Sequence, residues 1–252
     1  MTTVLDINAD MGEGFGSWLI GEGVDDDIMA LISSANIATG FHAGDPSTMT
    51  HSLREARKHG VAVGAHPGFR DLVGFGRRHI NATPEELVND VLYQLGALRE
   101  LAHREGMNLH HLKLHGALFM HAARDEAFAS QLCEALVASG TDLPIYCLVG
   151  SVLDQVARQA GLRPVHEFYA DRDYDDNGSI VFVRQVARRD PEQVAAKVLL
   201  AATEGVVESI NGKRVAVSCD SVCLHSDSPG ALDMLKAIRR HLDEAGIEVR
   251  TM

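Results

Sequence analysis

The sequence predicts an α/β protein in which parallel strands alternate with crossover helices, closed or nearly closed into a barrel in preference to an open doubly wound sheet. Three observations predict it. Short apolar, β-branched runs alternate with longer amphipathic stretches from one end of the chain to the other. Glycines follow several of the helical stretches, where a residue of positive φ stops a helix. The polar residues able to do chemistry collect just after the strand-like runs, and in a barrel those strand ends face one mouth. A length of 252 residues suits one such barrel, and no linker, low-complexity tract or repeat interrupts it, so residues 1–252 are expected to form a single domain.

Taken in order, strands are expected at Val4–Ala9, Asn36–Gly40, Val61–Ala65, His111–His115, Ile145–Val149, Val165–Phe168 and Ser221–Leu224, with Ile247–Arg250 as a closing strand. Helices are expected over Asp25–Ser34, Pro46–His59, Pro84–Glu105, Asp125–Ala138, Val152–Ala160, Pro191–Glu204 and Pro229–Ala245. Asp25-Asp26-Asp27 puts carboxylates at the positive end of a helix dipole, and Thr83-Pro84-Glu85-Glu86 joins a capping hydroxyl to a proline and two acids. Gly60, Gly106, Gly161 and Gly246 supply stops. Two segments break the rhythm. Tyr169–Arg189 is polar in DRDYDDNG and strand-like in SIVFVRQ, which predicts a long, partly structured active-site loop. VVESI-NG-KRVAV flanks Asn-Gly with apolar runs and predicts a type I′ hairpin.

Composition excludes some functions. Lys and Arg total 23 against 35 Asp and Glu, a net charge of −12, which disfavours general attraction to nucleic acid or an anionic membrane. The start MTTVLDINAD has no basic region ahead of an apolar run, and no apolar stretch could cross a bilayer, so a cytoplasmic location is expected. Cys133, Cys147, Cys219 and Cys223 form no CxxC pair and are expected to be buried small apolar groups. GxGxxG, GxxxxGK[ST] and GxSxG are all absent, which disfavours a phosphate loop and a serine-hydrolase elbow in this chain.

The candidate chemistry follows the strands. Asp6, Asn8 and Asp10 alternate by two along the first, so all three share a face, and Glu13 lies just beyond. His42 and Asp45 follow the second strand, His66 the third, Lys113 and His115 the fourth, Glu167, Asp171 and Arg172 the sixth, and His225 the seventh. A lone histidine at a strand end is more often structural than catalytic, but four at corresponding positions weaken coincidence. His51, His59, His103 and His241 fall on helices and are read as surface.

Read as whole phrases, LDINADMGEGFG, SSANIATGFHAGDP, VAVGAHPGF, FGRR, LYQLGAL, KLHGALF, EFYADRDY and CLHSDSPGAL closely resemble the LamB/YcsF family from about Asp6 to Val249. The chain departs from the family pattern at Thr39, Leu114, Phe119, Phe182 and Ser226, where the family commonly has Cys, Pro, Tyr, Pro and Gly. None of these removes a charged or imidazole group, and those at Leu114 and Ser226 bear on the backbone beside His115 and His225.

The resemblance implies a deformed seven-stranded barrel related to carbohydrate deacetylases, and ATP-driven opening of 5-oxoproline to glutamate by a chain working with 5-oxoprolinase subunits B and C. With no phosphate loop here, ATP belongs to the complex. On that view Asp10, Glu13, His42 and His66 are candidates for proton transfer, and Lys113 and His115 for stabilising an oxyanion or phosphate. Asn8, Asp45, Arg172, Arg184 and His225 are candidates for substrate binding, the arginines through bidentate contact with a carboxylate. Two alternatives remain: a metal-dependent hydrolase of amides or N-acetyl sugars, with Asp10, His42 and His66 as ligands of a divalent ion, and a non-catalytic lactam-binding subunit.

Overall fold

The structure is a computed structural model that describes residues 4–181 and 187–252. Strand β1 (Val4–Met11) outruns its apolar pattern because Asp10, polar as it is, is buried with the rest. Helix α1 (Asp25–Met29) ends well before Ser34. The hydroxyls of Ser33 and Ser34 both donate to Asp6 Oδ1, at 2.6 and 2.8 Å, and this pulls the segment out of a helix and into strand β2 (Ser34–Ala38). Helix α2 (Pro46–His59) matches expectation: Asp45 caps it, proline begins it and Gly60, at φ 69°, stops it. Strand β3 (Ala62–His66) follows, then helix α3 (Pro84–Arg104), whose Thr83 and Glu86 form a complete capping box.

The expected strand His111–His115 is shorter, β4 (His111–Leu112), because His115 becomes the extended N-cap of a helix not read from the sequence, α4 (Gly116–Ala122). At seven residues it is too short to show a helical period. Next come α5 (Glu126–Ala138), β5 (Ile145–Cys147), α6 (Val152–Gln159) and β6 (Pro164–Tyr169). In the predicted long loop, β7 (Asp173–Tyr174) and β8 (Ile180–Val181) pair antiparallel. The rest of its strand-like run, with Phe182 and Arg184, lies outside the described residues. The chain finishes with α7 (Pro191–Glu204), β9 (Val206–Glu208), β10 (Arg214–Ala216), β11 (Ser221–Cys223), α8 (Ala231–Glu244) and β12 (Glu248–Val249).

The β9–β10 hairpin forms, but not through a type I′ turn. Glu208 pairs with Arg214, leaving a five-residue connection 209–213. A type I′ turn needs positive φ at both central residues, and among the described residues Phe75 is the one non-glycine with positive φ, so Asn211 does not supply it. The Ser209 hydroxyl instead accepts from the backbone of Asn211 and Lys213 and organises a wider loop.

Contacts group the chain into two compact units. The first comprises residues up to Ala9, Ile20–Ser34 and His166–Met252. Its strands β12, β1, β11 and β6 lie side by side and parallel, with Val4 opposite Glu248, Asp6 opposite Ser221 and Ser221 opposite Glu167. Helices α7 and α8 pack together in this unit, and α1 packs on α8. The second comprises Asp10–Leu19 and Ala35–Val165. Strands β2, β3, β4 and β5 are neighbours in that order, with Gly64 opposite His111 and Leu112 opposite Ile145 in parallel register. Their apolar residues, including Ile37, Val63, Ala65, Leu112 and Ile145, are buried, and large side chains of this kind each contribute roughly 1.5–3 kcal/mol. Among the described residues no helix is long and apolar enough to cross a membrane. Cys133, Cys147 and Cys223 are buried and Cys219 is partly so, all as free thiols.

Candidate functional site

In the second unit, four strand ends deliver their polar residues to one place. Asp10 is the penultimate residue of β1, Glu13 lies two residues past it, His42 sits in the turn after β2, His66 ends β3, and Lys113 and His115 follow β4. Glycine makes the approach close enough. A Cβ on Gly68 would fall 2.5 Å from His42 Nδ1, and one on Gly76 (φ 59°) 2.8 Å from His115 Cδ2. Gln94 of α3 pins Gly68 from both sides, accepting from its N–H and donating to its carbonyl at 3.0 Å each, and accepts from the Thr39 hydroxyl at 2.9 Å. Asp71 holds the next loop by accepting from Gly74 N–H and from the Arg78 guanidinium. There Phe75 adopts φ 55°, a left-handed conformation that costs a non-glycine residue about 1–3 kcal/mol.

The six side chains are almost wholly buried, Lys113 and His115 at 2 % exposure and His42 at 0 %. Lys113 Nζ donates to Asp10 Oδ1 at 2.8 Å. The same oxygen accepts from Asn36 Nδ2 at 2.9 Å, and Asn36 Oδ1 accepts from His111 Nε2 at 2.7 Å. Asp10 Oδ2 lies 3.3 Å from His66 Nε2. Glu13 Oε1 lies 3.2 Å from His42 Nε2 and 3.3 Å from His115 Nδ1. The His42 and His115 rings stack at 3.7 Å between centroids and 7° between planes.

Hydrogen placement follows from what each nitrogen faces. His66 Nδ1 meets the Lys113 carbonyl and His115 Nε2 meets the Phe75 carbonyl, both at 2.8 Å, so both nitrogens carry hydrogen. In the neutral rings, His66 Nε2 and His115 Nδ1 then present lone pairs to each other across 3.0 Å. Burial, followed by the neighbouring His115, pushes His42 down to about 3, and burial lowers His115 as well. Burial alone would raise Glu13, but its contacts with His115 and His42 bring its carboxyl below the usual range. The second histidine nitrogen of His42, Nδ1, is buried without a hydrogen-bond partner. Glu13, His42, His66 and His115 offer donor atoms that all lie within 4.8 Å of one another, a cluster able to hold a metal ion. Glu13 and His115 thus join His42 and His66 where the sequence pointed to Asp10, whose Oδ1 is committed to Lys113 and Asn36.

Each of the other sequence-derived candidates within the described residues has partners of its own. Asp45 caps α2 through Ser47 and Thr48 and anchors the preceding loop through Gly16 N–H at 3.0 Å. In the first unit, Asp6 accepts from three serine hydroxyls and Asn8 donates to Ser221 at 2.7 Å. Arg172 and His225 meet at Asp171: Arg172 donates to it at 2.7 Å, His225 Nδ1 lies 3.1 Å from both its oxygens, and Ser228 donates as well. Arg184 lies outside the described residues. Asn36, His111, Phe75 and Ser228 were not singled out from the sequence. Asn36 had a visible cue, an amide within an otherwise apolar strand run.

The chain matches the model of the LamB/YcsF family over residues 5–252. It is 60 % identical over 247 residues to a protein of Pseudomonas syringae pv. tomato named as an A-type component of 5-oxoprolinase, covering 98 % of both chains. Among solved structures it is similar to a lactam utilization protein from Thermus thermophilus, with 44 % identity, a TM-score of 0.92 and coverage of 99 % of this chain and all of the other. A polysaccharide deacetylase from Bacillus cereus, at 11 % identity and a TM-score of 0.50 over 99 % of this chain and 92 % of its own, shares the fold alone. The fold class read from the sequence, an α/β barrel of the deacetylase kind, is the class of this chain.

Proposed function

Because the chain belongs to the LamB/YcsF family, we propose that it is the lactam-opening subunit of an ATP-dependent 5-oxoprolinase, converting 5-oxoproline to glutamate together with subunits B and C in the cytoplasm. The observation that carries this reading is the 60 % identity, over 98 % of both chains, to a relative named as the A-type component of that enzyme. An unstrained five-membered lactam is a poor electrophile whose closure is favoured by proximity. Transfer of the ATP γ-phosphoryl group to the ring oxygen, a step assigned to the complex, creates a leaving group and a more electrophilic carbon. Water adds to that carbon and the C–N bond breaks, the ring nitrogen taking up a proton, to give an acyl phosphate. A second water hydrolyses this, so the products of the lactam, ATP and two waters are glutamate, ADP and phosphate.

Asp10 is the group we assign to take the proton from water, its carboxylate oriented by Lys113 and by the His111–Asn36 chain. Glu13 stays ionised and acts through its charge, since its carboxyl is held well below the ordinary range. Lys113 balances negative charge as it develops. Arg172 and His225 are retained as substrate-binding residues. The reading is tested by adding 5-oxoproline and ATP to the chain with its authentic partner subunits. Glutamate forms in the full mixture and not when this chain is omitted, and no glutamate from the full mixture overturns the proposal.

The four-donor cluster favours one second reading, a metal-dependent amide hydrolase needing no ATP. Ring opening by the isolated chain, abolished by a chelator and indifferent to ATP, selects it.

A further inference from the structure

We propose that Glu13, His42, His66 and His115 bind one divalent first-row transition cation, and that zinc is the ion their arrangement suits. Zinc bound tetrahedrally at about 2.0–2.1 Å spans ligand–ligand edges of roughly 3.3 Å. The donor atoms here are separated by 3.0 Å (His66 to His115), 3.2 Å (His42 to Glu13), 3.3 Å (His115 to Glu13) and 3.9 Å (His66 to Glu13). Two of the imidazoles are also set as a metal requires. Each donates its outer N–H to a backbone carbonyl, of Lys113 or Phe75, and aims its lone pair inward. Two lone pairs facing at 3.0 Å repel unless an electrophile lies between them.

Charge agrees. The buried group holds two carboxylates, Asp10 and Glu13, against one ammonium, Lys113, and an unbalanced buried charge is costly. A shared proton between His66 and His115 would bridge that one pair and leave the other two donors uncommitted to it, whereas a cation engages all four. Imidazole with carboxylate selects zinc or a neighbouring transition ion over magnesium or calcium, which prefer oxygen alone. The site is a property of the chain whatever the substrate, so metal content and glutamate formation are separate measurements and fail separately.

The test is titration of the chelator-stripped full chain with Co²⁺. The expected result is a saturable visible spectrum of low-symmetry, nitrogen-ligated cobalt at one equivalent per chain, abolished by competing Zn²⁺, with zinc near one equivalent in protein grown on zinc. Variants Glu13→Gln and His66→Ala weaken Co²⁺ binding at least about tenfold, while His51→Ala on the surface of α2 does not. Should a ligand variant fail to fold, the wild-type titration carries the test. Absence of saturable Co²⁺ binding overturns the assignment. So does a ring imidazolium at His66 or His115, seen by nitrogen NMR in chain that takes up no cation.

Discussion

Asp10 and Lys113 belong to segments more than a hundred residues apart, and neither is stable in a buried position alone. Removing one partner of a buried ion pair leaves the other's charge uncompensated, which costs about 3–5 kcal/mol. Lys113→Met and Asp10→Asn are therefore each expected to destabilise the chain by that order and to abolish turnover. The double variant should cost less than the sum by about 1 kcal/mol or more, read from urea midpoints of all four proteins. Additive losses would show that the pair is not coupled. The strand-end positions of Asp10, Glu13, His42, His66, Lys113 and His115 were legible in the sequence because parallel strand ends converge. The division of labour among them was not. That Glu13 meets His42 and His115 while Asp10 meets His66 depends on a loop anchored by Gly16 to Asp45 and Gly14 to Gly44, and that Asn36 orients Asp10 depends on register with His111, 75 positions away.

Helix starts are local events, and they were read well for that reason. Thr83 with Glu86 and Gly60 after His59 each act within four residues, so the sequence carries the whole interaction, whereas Asp45, read as a substrate-binding candidate, caps α2 in the structure. Helix α4 escaped because it is short and its Ala117 N–H is taken by the distant Gly76 carbonyl, and the Asn211 turn because the Ser209 hydroxyl organises it. Asp45 also makes the start of α2 sensitive to acid. Bonds from the Gly16 and other backbone N–H groups and the Thr48 hydroxyl lower its carboxyl from 3.8 to about 2. A folded-state value below the unfolded one stabilises above the unfolded value and is lost as pH falls through the folded one. The stability advantage of the native chain over Asp45→Asn should thus be full above pH 3.8 and shrink toward pH 2, measured by denaturant unfolding across that range. A difference independent of pH would remove the carboxylate from this role.

At the scale of the molecule, a net charge of −12 makes self-repulsion a standing cost of compactness. Salt screens it, with a Debye length falling to about 8 Å at physiological ionic strength. Raising NaCl from low to physiological concentration is expected to raise the melting temperature, each 1 kcal/mol appearing as about 2–4 °C at this size. A melting temperature that falls instead would mean that attractive surface pairs such as Arg70–Asp90 and Arg240–Glu192 outweigh the repulsion. The alternation of strand and helix that sets the fold class was legible along the whole length, because seven repeated units leave few arrangements open.

Phe75 carries the cost of a left-handed backbone so that its carbonyl can meet His115 Nε2 at 2.8 Å. The ring is fixed by main chain, which has no rotamers to lose, before any guest enters. Recognition here begins from a rigid host, so association need not spend its free energy on ordering the receptor.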